Sequence, residues 1–87
     1  MKVILEPVSG TAKDNLERAR LEINGVLNFR GSVASVKAKG RRITVEFEIN
    51  PKWDLPMSEK VKFLEEWIPA KGRTVFKVIR LSGGEYE

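Results

Sequence analysis

Apolar and polar residues alternate most strictly between Arg42 and Asn50, where Ile43, Val45, Phe47 and Ile49 are separated by Thr44, Glu46 and Glu48. A period of two over eight residues predicts a half-buried strand. The preceding segment, residues 32–39, alternates too, with Ala34, Val36 and Ala38 on one side and Ser35, Lys37 and Lys39 on the other. Gly40-Arg41 between them supplies a tight turn, so the two segments read as an antiparallel hairpin solvated on one face. On that face Glu46 and Glu48 are expected to pair across the strands with Lys37 and Lys39.

Elsewhere the spacing changes. Residues 2–6 (Lys-Val-Ile-Leu-Glu) predict a first strand, ended by Pro7, which has no amide to donate to a ladder. From Ala12, Leu16, Ala19 and Ile23 recur at helical steps, with Asp14 and Arg18 placed for an i,i+4 ion pair and Ser9 or Thr11 as cap. Asn24-Gly25 is the expected stop, although Val26 and Leu27 prolong the apolar stripe and make Arg30-Gly31 the alternative. A second helix follows the Asn50–Pro56 loop, with Met57, Val61, Leu64 and Ile68 on one face and Pro69 as its end. Residues 73–81 predict the last strand, and 82–87 a flexible tail.

The resulting order, β-α-β-β-α-β, predicts an α+β ferredoxin-like split βαβ sandwich. This is a four-stranded antiparallel sheet in the order 4-1-3-2 with two helices on one face. Its 87 residues make a single compact domain, 1–87, with no room for a second core. The rival arrangement exchanges the last strand between subunits at a Pro69–Gly72 hinge.

Composition narrows the chemistry. There is no His and no Cys, which removes the commonest general base, the thiolate nucleophile, disulfides and the usual zinc ligands. Glu46 and Glu48 share a strand face and Glu65-Glu66 lie on a helix, but no third oxygen ligand is placed to complete a metal site. Val8–Lys13 lacks the spacing of a phosphate-binding loop. The chain is therefore read as a non-enzyme without a cofactor or metal. No stretch approaches a membrane span, and the Met1–Leu5 start is cut by Glu6 and Pro7 before it could form a leader, so no membrane partner and a cytoplasmic location are expected. Absence of Gln beside abundant Lys, Arg and Glu is a thermophile-like bias.

Charge then points to partners. Sixteen Lys and Arg against twelve Asp and Glu leave +4, but the excess is clustered. Arg30–Arg42 holds five cations and no acid, and Lys71–Arg80 holds four, while residues 43–70 hold six acids against three lysines. In the predicted topology the first-strand loop, the hairpin tip and the loop before the last strand meet at one end. That end gathers Lys39, Arg41, Arg42, Lys71 and Arg73, with Lys37 and Lys13 beside them, at a helix N-terminus. Cations so grouped suit phosphates of DNA or RNA, contacted without strong sequence preference. Base stacking on the sheet is not expected, because the outward positions Lys2, Ile4, Glu6, Thr44, Glu46 and Glu48 include no aromatic residue. The alternative is a protein–protein interaction module, a homodimer docking on a larger assembly. Its surface would be the Phe63-Trp67 pair on the second helix and the apolar last strand with Phe76 and Val78. For Phe63 and Trp67 the competing role is core padding, with Trp53 closing the core's lower edge.

Overall fold

A computed structural model describes the backbone of residues 1–72 and 75–82 and the side chains of 1–68 and 75–81. The elements are β1 (Lys2–Pro7), α1 (Leu16–Leu27), β2 (Gly31–Lys39), β3 (Arg42–Ile49), α2 (Met57–Gly72) and β4 (Phe76–Ser82), with 3₁₀ turns at Lys13–Asn15 and Asn28–Arg30. The strands form one antiparallel sheet in the order β2-β3-β1-β4. The class is α+β as expected, and the strand order is compatible with a ferredoxin-like arrangement.

One face of the sheet carries the core. Val3, Leu5, Ile43, Val45, Phe47 and Phe76 point inward and meet Ala19, Ile23, Val26 and Leu27 of α1 and Leu64 and Ile68 of α2, all of them buried. These are the alternate positions of three strands and the apolar stripes of two helices, so the period of each segment selects what it buries. The last strand pairs with β1 of the same chain.

Several boundaries differ from expectation, each for a packing reason. Helix α1 passes through Gly25 and ends at Leu27, where the Asn28 amide donates to the Asn24 carbonyl. A helical glycine costs about 1 kcal/mol, whereas burying Val26 and Leu27 is worth about 1.5–3 kcal/mol each, so burial wins. At its start a 3₁₀ turn precedes the helix; neither its N-cap, Ala12, nor that of α1, Asn15, makes the expected side-chain cap, and Thr11 Oγ1 instead accepts from the Asp14 amide at 3.1 Å ahead of the helix. The expected Asp14–Arg18 pair is replaced by Glu17 and Arg20, whose hydrogen bonds lower the Glu17 pKa from its ordinary value. Helix α2 continues through Pro69 to Gly72. A proline inside a helix removes the amide that would bond the carbonyl four residues back and crowds that carbonyl with its ring; here the carbonyl belongs to Glu65, an exposed residue.

The first strand extends one residue further than expected, with Pro7 opposite Phe76, and β4 starts at Phe76 rather than at 73. Ser82 belongs to β4, opposite Lys2, instead of to a tail; the rest of the expected tail, 83–87, lies outside the described residues.

Two β-bulges alter which residues share a face. In β2 the register steps from Val33↔Phe47 to Ser35↔Glu46, leaving Ala34 unpaired and exposed, so Val33, Val36 and Ala38 line the inner side. In β4 it steps from Val78↔Leu5 to Arg80↔Ile4, leaving Ile79 between them.

Candidate nucleic-acid interface

The uncovered face of the sheet is set row by row by strand register. One row reads Lys37, Thr44, Ile4 and Arg80 across β2, β3, β1 and β4. Towards the hairpin, Lys39 lies opposite Arg42 and Glu6 opposite Lys77. Beyond them is the turn, where Gly40 has φ 61° and Arg41 projects into solvent. Lys37, Lys39, Arg41, Arg42, Lys77 and Arg80 thus surround Glu6, the one acid of this half-face among the described residues, with Ile4 and Thr44 half-buried at its centre.

Glu6 does not neutralise the group. Its Oε1 lies 3.7 Å from Arg41 Nη2, but the Arg41 side chain is 89% exposed, and so open a pair contributes little. Among the described residues no other carboxylate reaches a cation of this half-face. Directly opposed Lys39 and Arg42 repel one another across the last rung of the hairpin. The expected pairing of Glu46 and Glu48 with Lys37 and Lys39 is not formed. The bulge at Ala34 sets Glu46 opposite Ser35, while Glu48 lies opposite Ser32, and Lys2 flanks Glu46 from β1. The open face is therefore divided, basic near the hairpin and acidic at the other end.

The hairpin tip and the β1–α1 loop do come together. Gly40 and Arg41 line a cavity of about 270 Å³ with Glu6, Pro7, Gly10, Thr11 and Ala12. The loop is held by Asn15, whose Nδ2 donates to the Ser9 carbonyl at 3.1 Å and the Thr11 carbonyl at 2.7 Å. Lys13 is exposed on the following turn. Lys71 falls in the last turn of α2 and Arg73 lies beyond it; the side chain of the first and the whole of the second are outside the described residues.

Lys77 and Arg80 complete the half-face although simple alternation hides them. Three positions apart, they would project on opposite sides of a regular strand, and the Ile79 bulge turns them to the same one. The signal was present only as charge density in the Lys71–Arg80 run.

The candidate partner surface fares differently. Phe76 is 1% exposed, a core residue, and Val78 packs against the core, so neither forms a surface patch. The reason is register: Phe76 and Val78 lie opposite Pro7 and Leu5 on the inner side of the sheet. Phe63 is half-buried against the core, while Trp67, 46% exposed, stacks on it with centroids 5.4 Å apart. Trp53 meets Phe63 edge-on at 5.3 Å and also packs against the core.

No aromatic side chain lies on the open face among the described residues, and no group of His, Cys, Asp and Glu there could hold a metal ion. No described helix is long and apolar enough to cross a membrane. The chain matches no protein-family model, and no curated protein or solved structure is similar enough to count as a match.

Proposed function

We propose that this protein is a small nucleic-acid-binding accessory protein of the cytoplasm, contacting phosphates without strong sequence preference through the basic half of its open sheet face. One observation carries the reading: strand register and two bulges put Lys37, Lys39, Arg42, Lys77 and Arg80 on one surface beside Arg41, around Glu6, the one acid there among the described residues. A charged tip serving solubility alone needs no such convergence, and alternating Lys with Glu would serve it without Lys39 facing Arg42. The absence of aromatic residues there among the described residues favours backbone contact over base readout.

Fluorescence anisotropy with labelled duplex and single-stranded DNA and RNA tests this. Neutralising about five phosphates gives a slope of log K against log salt of about −4.5 on duplex DNA. The Arg41→Glu, Arg42→Glu double variant is expected to lose duplex binding to every sequence alike. Salt-independent binding, or affinity unchanged in the double variant, would overturn the proposal and favour a protein partner.

A further inference from the structure

At the end of the sheet away from the hairpin, the 3₁₀ turn Asn28–Arg30 leads into β2 and holds Phe29 in solvent, 83% exposed. This is the most exposed of the large apolar side chains described, and the turn that presents it is braced. The Asn50 amide donates to the Arg30 carbonyl at 2.7 Å, Asn50 Nδ2 donates to the Phe29 carbonyl at 3.2 Å, and Asn50 Oδ1 accepts from the Lys52 amide at 3.0 Å. Asn28 meanwhile sits at φ 53°, ψ −116°, a conformation glycine adopts with less strain. Phe29 is thus displayed at the cost of backbone strain and fastened from the neighbouring loop.

Beside it opens a groove of about 470 Å³ lined by Asn28, Phe29, Arg30, Asn50, Lys52 and Trp53. Two aromatic rings, two amides and two cations line it, with no acid among the described residues, and no described carboxylate pairs with Arg30 or Lys52. Arg30 is positioned by the rings, its guanidinium 4.6 Å from the Phe63 centroid and 5.8 Å from that of Trp53. An exposed ring offers a stacking face, amides offer both donors and acceptors to a base edge, and cations suit a phosphate.

We infer that this groove takes an unpaired nucleotide, its base stacked on Phe29 and its phosphate near Arg30 and Lys52. The choice of a nucleotide over other flat anions rests on the nucleic-acid reading above. The site itself lies about 25 Å of strand away from the hairpin tip and does not use that surface. Free nucleotides and the unpaired ends of strands share this chemistry, and the test separates them.

The test is amide and indole chemical-shift mapping of the full chain carrying Arg41→Glu and Arg42→Glu, titrated with adenosine monophosphate, with ribose 5-phosphate, and with a short single strand ending in a nucleotide or in an abasic residue. Shifts at Phe29, Arg30, Asn50, Lys52 and the Trp53 indole are expected with the monophosphate or with the nucleotide-ended strand, and much weaker ones with the sugar phosphate or the abasic end. Response to the strand alone assigns the groove to strand ends; response to both sources leaves it open to either. Phe29→Ala is expected to weaken binding roughly 5- to 150-fold, the range of one lost base–aromatic stack, and Phe29→Trp to retain it. Equal shifts with ribose 5-phosphate, no shifts with either nucleotide source, or unchanged affinity in Phe29→Ala would overturn the inference. So would a change in sedimentation alone on Phe29→Ala, since the ring would then serve self-association. Because the hairpin cations are reversed in this protein, failure here leaves the basic-face proposal standing, and loss of duplex binding elsewhere leaves this one standing.

Discussion

At the scale of single residues, Asn28 is where local conformation conflicts with side-chain preference. It is the one non-glycine residue with positive φ among those described, and its ψ of −116° lies outside the left-handed helical well that asparagine tolerates. Such positions cost of order 1–3 kcal/mol and persist where surrounding contacts over-determine them. Here the Asn50 bonds to the two following carbonyls do so. Asn28→Gly is therefore expected to stabilise the fold by about 0.5–1 kcal/mol, read as a raised midpoint in urea with unchanged slope. Asn50→Ala is expected to lower stability by about 1–2 kcal/mol by removing two side-chain hydrogen bonds. Neither Asn28 nor Phe29 stood out in the sequence. A lone Phe after Asn, between a helical stripe and a glycine, carries no periodic signal, and only the turn's geometry makes it a feature.

At the scale of elements, two glycines that look alike in sequence behave oppositely. Both Gly25 and Gly31 follow polar residues near the end of an apolar stripe and both read as stop signals. Gly25 lies inside α1 with nothing within 4 Å of where a β-carbon would sit, so Gly25→Ala is expected to stabilise by about 0.5–1 kcal/mol. At Gly31 a β-carbon would come within 2.3 Å of the Glu48 carbonyl oxygen, a backbone atom that cannot swing away. Gly31→Ala is expected to cost about 1–3 kcal/mol as β2 is forced off β3. Thermal unfolding of the two variants side by side checks both signs. The contrast also explains which parts of the fold were legible. Strand period, helix stripes and element order are properties of many residues at once, and they predicted the sheet order and most of the core. Helix ends at Leu27 and Gly72, and the bulges at Ala34 and Ile79, depend on which neighbour a residue meets after folding. Phe76 illustrates the point: in a strand apolar on both faces, only the register decides which ring enters the core.

At the scale of the whole molecule, the same register decides where charge accumulates. The cationic runs were visible in the sequence, and the hairpin tip with the β1–α1 loop was predicted as a meeting point, but the joining of Lys77 and Arg80 to Lys37 across four strands was not. A surface assembled in this way carries an electrostatic penalty in the free protein. Lys39 directly faces Arg42, with Arg41 between them in sequence and exposed, so the hairpin closes against like-charge repulsion. Arg42→Thr keeps a strand-compatible side chain and removes one of the opposed charges. It is expected to raise stability by about 0.2–1 kcal/mol at low salt. The gain should fade towards 1 M salt, where the screening length falls to about 3 Å. The same substitution should weaken nucleic-acid binding at low salt and make the salt slope shallower by about one unit. Stability and affinity thus move in opposite directions, and by amounts that shrink together with added salt. A tip whose charges served solubility alone would show the gain in stability with no change in binding. Measuring unfolding and anisotropy on one variant over one salt series therefore separates a surface shaped for phosphates from one that is merely basic.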